Sequence, residues 1–207
     1  MRGDFSARDG DPIERLAPKQ AQILRSAYKV MGEAGASFSL QEVADDAGVS
    51  KALLIYHFKS KESLTLATLE WTLKRVAARV SQAIDPIQTA EAKVETMLDA
   101  IFSRPDQNRH FYLVYADLLG HAARLESYSA VASTFHETVN GMYASVAALG
   151  MREGVFPPRD PQVAALAMRA LIDGMFLQWL LERDWRGTHA TYRATCKQAI
   201  LAYLRSV

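Results

Sequence analysis

From residue 39 to residue 62 the chain reads SLQEVADDAGVSKALLIYHFKSKE. Two short segments with helical character stand on either side of Gly48, and that arrangement limits the local fold more than any other feature. Ser39 opens the first segment, with Glu42 three residues later as in a capping box. Gly48 ends it, Ser50 is placed to cap the second segment, and Phe58 closes that one. Ala44, Ala47 and Gly48 are small enough to let two helices approach closely. Val43, Val49, Leu54 and Phe58 have the spacing of a core that locks them together. The pattern predicts a helix-turn-helix, in which two helices are held at a fixed angle so that the second can enter a major groove.

The surface chemistry of the second segment agrees. Between Gly48 and Lys61 there are three lysines, Lys51, Lys59 and Lys61, and no acidic residue. The whole chain carries a formal net charge of only +1, so a nucleic-acid surface has to be a local patch such as this one. Lys51 stands at the start of the helix, where side chains reach base edges or phosphates. Tyr56 and His57 can donate to phosphate oxygens. Lys61 falls in the first turn of the next helix, where backbone N–H groups and the positive end of the helix dipole also favour a phosphate, and Ser39 and Ser50 offer similar termini. Lys51, Leu53, Tyr56 and His57 are expected on the outward face. Tyr56 has a second reading, as packing against the first helix, and Lys59 a second reading as a solvated charge.

The rest of the chain reads as helices, with weak strand signals throughout. A first helix is expected from Pro18 to Ala34, with a stripe of Ile23, Leu24, Ala27, Val30 and Met31 and a left-handed stop at Gly35. A fourth runs from Ser60 towards Ile84, stopped by Asp85-Pro86. Five more are expected at about 89–103, 107–122, 126–151, 160–182 and 188–205, separated by Pro105, the Arg124-Leu125 region, Pro157-Pro158 and Gly187. The expectation is an all-α chain of about nine helices. Residues 1–17, with Arg2, Arg8 and Arg15, are expected to form a mobile arm whose role the sequence leaves open, 18–66 a three-helix reading domain, and 67–207 a larger helical domain. The domain boundary lies inside the fourth helix, since nothing there resembles a linker.

The stretch AGVSKALLIYHFKSKESL, from Ala47 to Leu64, resembles the DNA-binding domain of the TetR family of bacterial transcriptional regulators, and the likeness extends over roughly residues 19 to 70. The residues that carry it are Gly48, Val49, Ser50, Lys51, Tyr56, His57, Phe58 and Lys61. Three positions depart from the family pattern. Ala52 stands where glycine is frequent, Leu53 where threonine or serine is frequent, and Ile55 where a phosphate-binding tyrosine is frequent. Either one phosphate contact is missing or Tyr56 supplies it. Leu53 cannot hydrogen-bond a base, so Ala52 and Leu53 are expected to meet thymine methyl groups.

The resemblance implies a C-terminal domain that binds a small-molecule effector and a homodimer built on the last two long helices. PQVAALAMRALIDGMFLQWLLE, Pro161 to Glu182, looks like the family's penultimate helix, including Asp173-Gly174. The reading is therefore a sequence-specific regulator, a repressor released from a pseudo-palindromic double-stranded DNA operator by an apolar or aromatic effector. Tyr112, Tyr115, Asp117, Phe176 and Trp179 are the candidate effector contacts; a carboxylate in this apolar run needs a partner, and Arg169 is one candidate for Asp117. The alternative is a helical adaptor that binds a peptide or protein partner without DNA.

Other chemistries find little support. The five histidines are scattered and no His/Cys cluster has zinc spacing, so no metal or cofactor is expected. No nucleophile elbow or phosphate-binding glycine loop is present, and His136-Glu137, adjacent in sequence, project about 100° apart on a helix, so no enzyme is expected. A single cysteine, Cys196, and the lack of a long apolar run point to a cytoplasmic protein without membrane segments.

Overall fold

The computed structural model describes residues 16–206; the leading arm expected at 1–17, with Arg2, Arg8 and Arg15, lies outside the described residues apart from Leu16 and Ala17. Among the described residues there are nine α-helices, one short 3-10 turn and no strand. They are α1 (Pro18–Ala34), α2 (Leu40–Ala47), α3 (Lys51–Phe58), α4 (Lys61–Ile84), α5 (Ala90–Ile101), α6 (Pro105–Ala122), α7 (Glu126–Glu153), α8 (Pro161–Trp179) and α9 (Trp185–Arg205). The chain divides into two compact units between Ala78 and Arg79, so α4 runs through the division. No helix among the described residues is long and apolar enough to cross a membrane.

In the first unit, the stripe of Ile23, Leu24, Ala27, Val30 and Met31 is buried as its periodicity requires. Pro18 sits at the first turn of α1, where its missing N–H costs nothing, and the Gln20 side chain accepts the Ala17 N–H at 3.2 Å. Gly35 does end α1, but with φ 57° and ψ −146°, a geometry open to glycine and distinct from the left-handed helical one expected; a 3-10 turn, Gly35–Ser37, follows. Gln22 reaches across to the Ala47 carbonyl at 2.7 Å and ties α1 to the end of α2.

In the second unit, α7 and α8 pack together, as do α8 and α9. Gly150 lets the Phe156 ring lie on the end of α7: a Cβ there would fall 2.0 Å from the ring. α9 runs antiparallel to α5 and the start of α6, and a ladder of ion pairs records the register. Glu91 meets Arg205, Glu95 meets Lys197, Asp99 meets Arg193, and Asp106 meets Arg186. All are solvent-exposed, so each contributes on the order of 0–1 kcal/mol and the ladder orients more than it stabilises.

Two expected boundaries shift for local reasons. Pro105 does not precede α6 but starts it, at a position proline favours. Gly187 does not separate α8 from α9. The Asp184 side chain caps α9 by accepting the Gly187 N–H at 3.0 Å, and it curls so close that a Cβ at 187 would lie 2.2 Å from Oδ2. The glycine is thus a capping requirement inside the first turn of a helix.

Candidate nucleic-acid interface

The turn between α2 and α3 is built by local chemistry. Ser39 Oγ accepts the Glu42 N–H at 3.2 Å while Glu42 Oε2 accepts the Ser39 N–H at 2.7 Å. These bonds to Ser39, backbone first and then hydroxyl, hold the Glu42 carboxyl below its ordinary range. Gly48 takes φ 60° and ψ 39°, and its N–H and that of Val49 return to the Ala44 carbonyl. Ser50 Oγ then accepts the Leu53 N–H at 3.1 Å and starts α3. Val43, Ala44, Ala47, Leu54 and Phe58 are buried and Val49 half-buried, which fixes the angle between the two helices. Lys29 on α1 pairs with Asp46 on α2, a contact that holds the Asp46 carboxyl down.

This packing decides which part of α3 faces outward, and the outcome differs from the expectation. Lys51, Ala52, Ile55 and Tyr56 are exposed, Tyr56 at 69% and Ile55 at 39%. Leu53 and His57 are only half-buried. Ala52 and Ile55, three residues apart, lie about 60° from each other around the helix and share the exposed side with Lys51, Lys59 and Tyr56, whereas Leu53, on the far side of Tyr56, is half covered. The sequence reading passed over Ile55 as an outward residue, although its i+3 spacing from Ala52 was visible. Tyr56 does not pack into the core. Its ring stands edge-on to His57 at 5.3 Å and carries the Lys59 ammonium 5.1 Å from its centroid. Lys59 has φ 64°, unusual for a side-chain-bearing residue, and its Nζ donates to the Tyr56 carbonyl at 2.8 Å, so it caps the C-terminus of α3. Lys61, exposed at the start of α4, places its ammonium 4.4 Å from the Phe38 ring centroid. The interface thus presents an apolar ridge, Ala52 to Ile55, edged by Lys51, Tyr56, Lys59 and Lys61.

In the second unit, Tyr112, Tyr115, Phe176 and Trp179 are brought together and buried. Tyr112 stacks on Phe176 at 3.9 Å between centroids, Phe176 on Phe102 at 4.1 Å, and Trp179 meets Phe176 edge-on at 5.8 Å. Asp117 is not among them. It is exposed on α6, two residues and so about 200° from Tyr115, and Arg169 is not its partner. Arg169 instead pairs with Asp173, Nε to Oδ2 at 2.6 Å, and donates from Nη2 to the Tyr115 hydroxyl at 2.6 Å. Its guanidinium lies 4.9 Å from the Phe135 centroid and 5.6 Å from that of Tyr115. His136 Nε2 completes the chain of contacts, 2.9 Å from the Tyr115 oxygen. The i, i+4 spacing of Arg169 and Asp173 was the available signal for this pair.

Burial pushes the Tyr115 hydroxyl up to about 12 and lowers His136, helped by the Arg169 charge. Burial opposes the charge on Arg169, but Asp173 and Tyr115 outweigh it and raise the guanidinium, so it stays ionised. A groove of about 420 Å³, lined by Ser133, His136, Glu137, Asn140, Gly141 and Gln162, borders this cluster at His136. No group of His, Cys, Asp and Glu among the described residues could hold a metal. Cys196 is buried, which raises its thiol to about 12.

Comparison with known proteins gives a consistent set of matches. Residues 23–68 match the family of bacterial regulatory proteins of the tetR type, and residues 90–205 match the C-terminal domain of BetI-type transcriptional repressors. The chain is 28% identical over 183 residues to the HTH-type transcriptional regulator TtgR of Pseudomonas putida, covering 83% of this chain and 84% of that one. It is 22% identical over 168 residues to the HTH-type transcriptional regulator BetI of Brucella anthropi, covering 80% and 84%. Among solved structures, it aligns at a TM-score of 0.83 and 20% identity with a Saccharomonospora viridis protein in complex with choline, covering 91% and 98% of the two chains. It aligns at 0.75 and 25% identity with a TetR transcription regulator from Haloarcula marismortui, covering 89% and 97%.

Proposed function

We infer how this protein works from the premise that it belongs to the TetR family of bacterial regulatory proteins, with a C-terminal domain of the BetI-type repressor kind. It is a DNA-binding transcriptional regulator. Our reading is that it represses from a pseudo-palindromic operator in the cytoplasm as a homodimer. In that reading α3 enters the major groove, Lys51, Tyr56, His57 and Lys61 hold phosphates, and Ala52, with Leu53 beside it, faces base edges. The N-termini that Ser39 and Ser50 cap lie against the backbone. The observation that carries this is the outward face of α3: cations at its edges and no acidic residue between Gly48 and Lys61. A peptide-binding adaptor gives no reason for that charge pattern.

The dimer reading rests on α8. Val163, Leu166, Leu177 and the following Leu181 are exposed and recur at helical spacing, with Ala170 and Gly174 between them. This apolar ridge with small residues at its centre suits a second copy of the same helix. Two copies would present two α3 helices one DNA turn apart, about 34–36 Å.

The effector reading rests on the aromatic cluster of Tyr112, Tyr115, Phe176 and Trp179. These side chains are closely packed, so a ligand has to favour a state in which the stack opens, and it shifts operator occupancy only through its different affinity for the two states. α4 runs through the division between the units and is the natural lever. Choline, bound in the Saccharomonospora viridis relative, fits poorly here. A quaternary ammonium needs aromatic faces without a competing cation, and the Arg169 guanidinium already covers Phe135 and Tyr115. An apolar or aromatic molecule with an acceptor or anionic group suits this cluster better.

The test is binding of the full-length protein to labelled DNA from upstream of its own gene, followed by anisotropy across a salt series. The expected result is saturable binding whose affinity falls steeply as salt rises, because phosphate contacts release counterions. Absence of binding at 50 mM salt, or binding indifferent to salt, overturns the reading.

A further inference from the structure

We propose that this regulator recognises its operator chiefly through thymine methyl groups, read by the Ala52–Ile55 ridge of α3, with Ile55 as the main specificity-determining residue. The proposal rests on the reading that α3 enters a major groove. Its basis is the chemistry of the outward face. Ile55 is an exposed aliphatic side chain on that face, flanked by the more exposed Tyr56, and Ala52 lies one turn before it. Neither has a hydrogen-bonding group. Leu53, the residue first expected to do this work, is half-buried and sits to the side.

In the major groove every base edge offers hydrogen-bond donors or acceptors, and only thymine adds an apolar group, its C5-methyl. An isoleucine pressed against N7, O6 or an exocyclic amine leaves a desolvated polar atom unpaired, which is unfavourable. Pressed against a thymine methyl, it removes apolar surface from water at no such cost. Ile55 is also β-branched and confined at χ1, so its two γ-carbons are already placed. The cations at the edges of the ridge, Lys51 and Lys61, complement the phosphate rails and leave the ridge to apolar contact. Lys59 is held back against the Tyr56 carbonyl and ring, and so does not cover Ile55 with charge.

The experiment uses the full-length protein and the operator located by footprinting its own upstream region. Each thymine of one half-site is replaced in turn by deoxyuridine, which removes a methyl group and leaves base pairing unchanged. At one or two positions Kd should rise about four-fold, the change equivalent to exposing one methyl group. Ile55→Ala should bind the native operator more weakly and lose its sensitivity to deoxyuridine at those same positions, while the slope of affinity against salt stays as in the wild type. Ile55 is exposed, so this variant keeps the core, and circular dichroism checks that it folds. Uniform tolerance of deoxyuridine by a protein that still footprints would overturn the methyl-reading proposal alone. Failure to footprint any DNA would overturn it together with the regulator reading beneath it. Persistence of the deoxyuridine effect in Ile55→Ala would assign the methyl contact elsewhere and reject Ile55.

Discussion

Arg169 is 8% exposed and carries its full charge, so its stability rests on the groups around it. Asp173 balances the charge, the Tyr115 hydroxyl takes a second N–H, and two aromatic faces lie within cation–π range. A buried pair of this kind is not in itself a source of stability, but removing one member leaves the other uncompensated. Asp173→Ala should therefore cost roughly 2–3 kcal/mol in urea unfolding, below the full penalty of a deeply buried pair because Asp173 remains partly open to solvent. The double variant Arg169→Met/Asp173→Leu should recover most of that. If the double variant were no better than the single one, the charge would not be the cause. His136 and His189 give a second residue-level expectation. Burial first, then Arg169 for one and Arg193 for the other, lowers both below the ordinary value of about 6.5. Protons then bind the unfolded chain more readily than the folded one. The stability contributed by the neutral rings is complete above about pH 6.5 and is lost as pH falls through the lowered folded values. Urea midpoints should drop between pH 7.5 and pH 5.5, and drop less in His136→Gln/His189→Gln. An equal drop in both proteins would assign the effect to other groups.

At the scale of elements, legibility followed the range of the forces involved. Ser39, Gly48, Ser50 and Pro18 act within four residues of themselves, and the helix starts and stops they specify are where the sequence placed them. Gly187 was misread because its role depends on Asp184 curling back across three residues, and a separator glycine and a capping glycine look alike in a string of letters. Asp117 is misplaced, and Ile55 left off the outward face, for a different reason. The sequence shows that a segment is helical but fixes its outward phase only through the packing of both neighbours, and an error of one residue moves a side chain by 100°. The aromatic cluster of the second unit is visible as a list of residues, whereas the guanidinium among them pairs with Asp173 and not with the candidate Asp117. The α2–α3 turn allows a direct check on the local half of this account. Nothing lies within 4 Å of a Cβ built at Gly48, so an alanine there meets no clash and only the positive φ resists it. Gly48→Ala should cost about 1–2 kcal/mol, and Gly48→Asn distinctly less, since asparagine tolerates that conformation. Equal costs in thermal unfolding would mean that space, and not backbone geometry, governs the turn.

At the scale of the whole molecule, reading and regulation are linked only if two copies act together, and the α8 ridge is where that link can be tested apart from either site. Val163 and Leu166 are more than half exposed, yet they stand on a helix whose other side packs into α7 and α9. A charge placed on the ridge therefore spares the fold and opposes only self-association. Leu166→Glu would set two like charges face to face across a two-fold interface. Sedimentation should show the variant as a monomer at micromolar concentrations where the wild type is a dimer. Its secondary structure and thermal transition should remain two helical units. Binding to an isolated half-site depends on α3 alone and should be unchanged. Binding to the full operator should weaken by 100-fold or more, because the second α3 is no longer delivered at the high effective concentration that tethering provides. The two DNA measurements separate the possibilities. A loss at both sites would point to damage within the reading unit. A variant that becomes monomeric yet keeps full-operator affinity would show that the two reading heads do not depend on each other, and an effector acting on the distance between them would then have nothing to act upon.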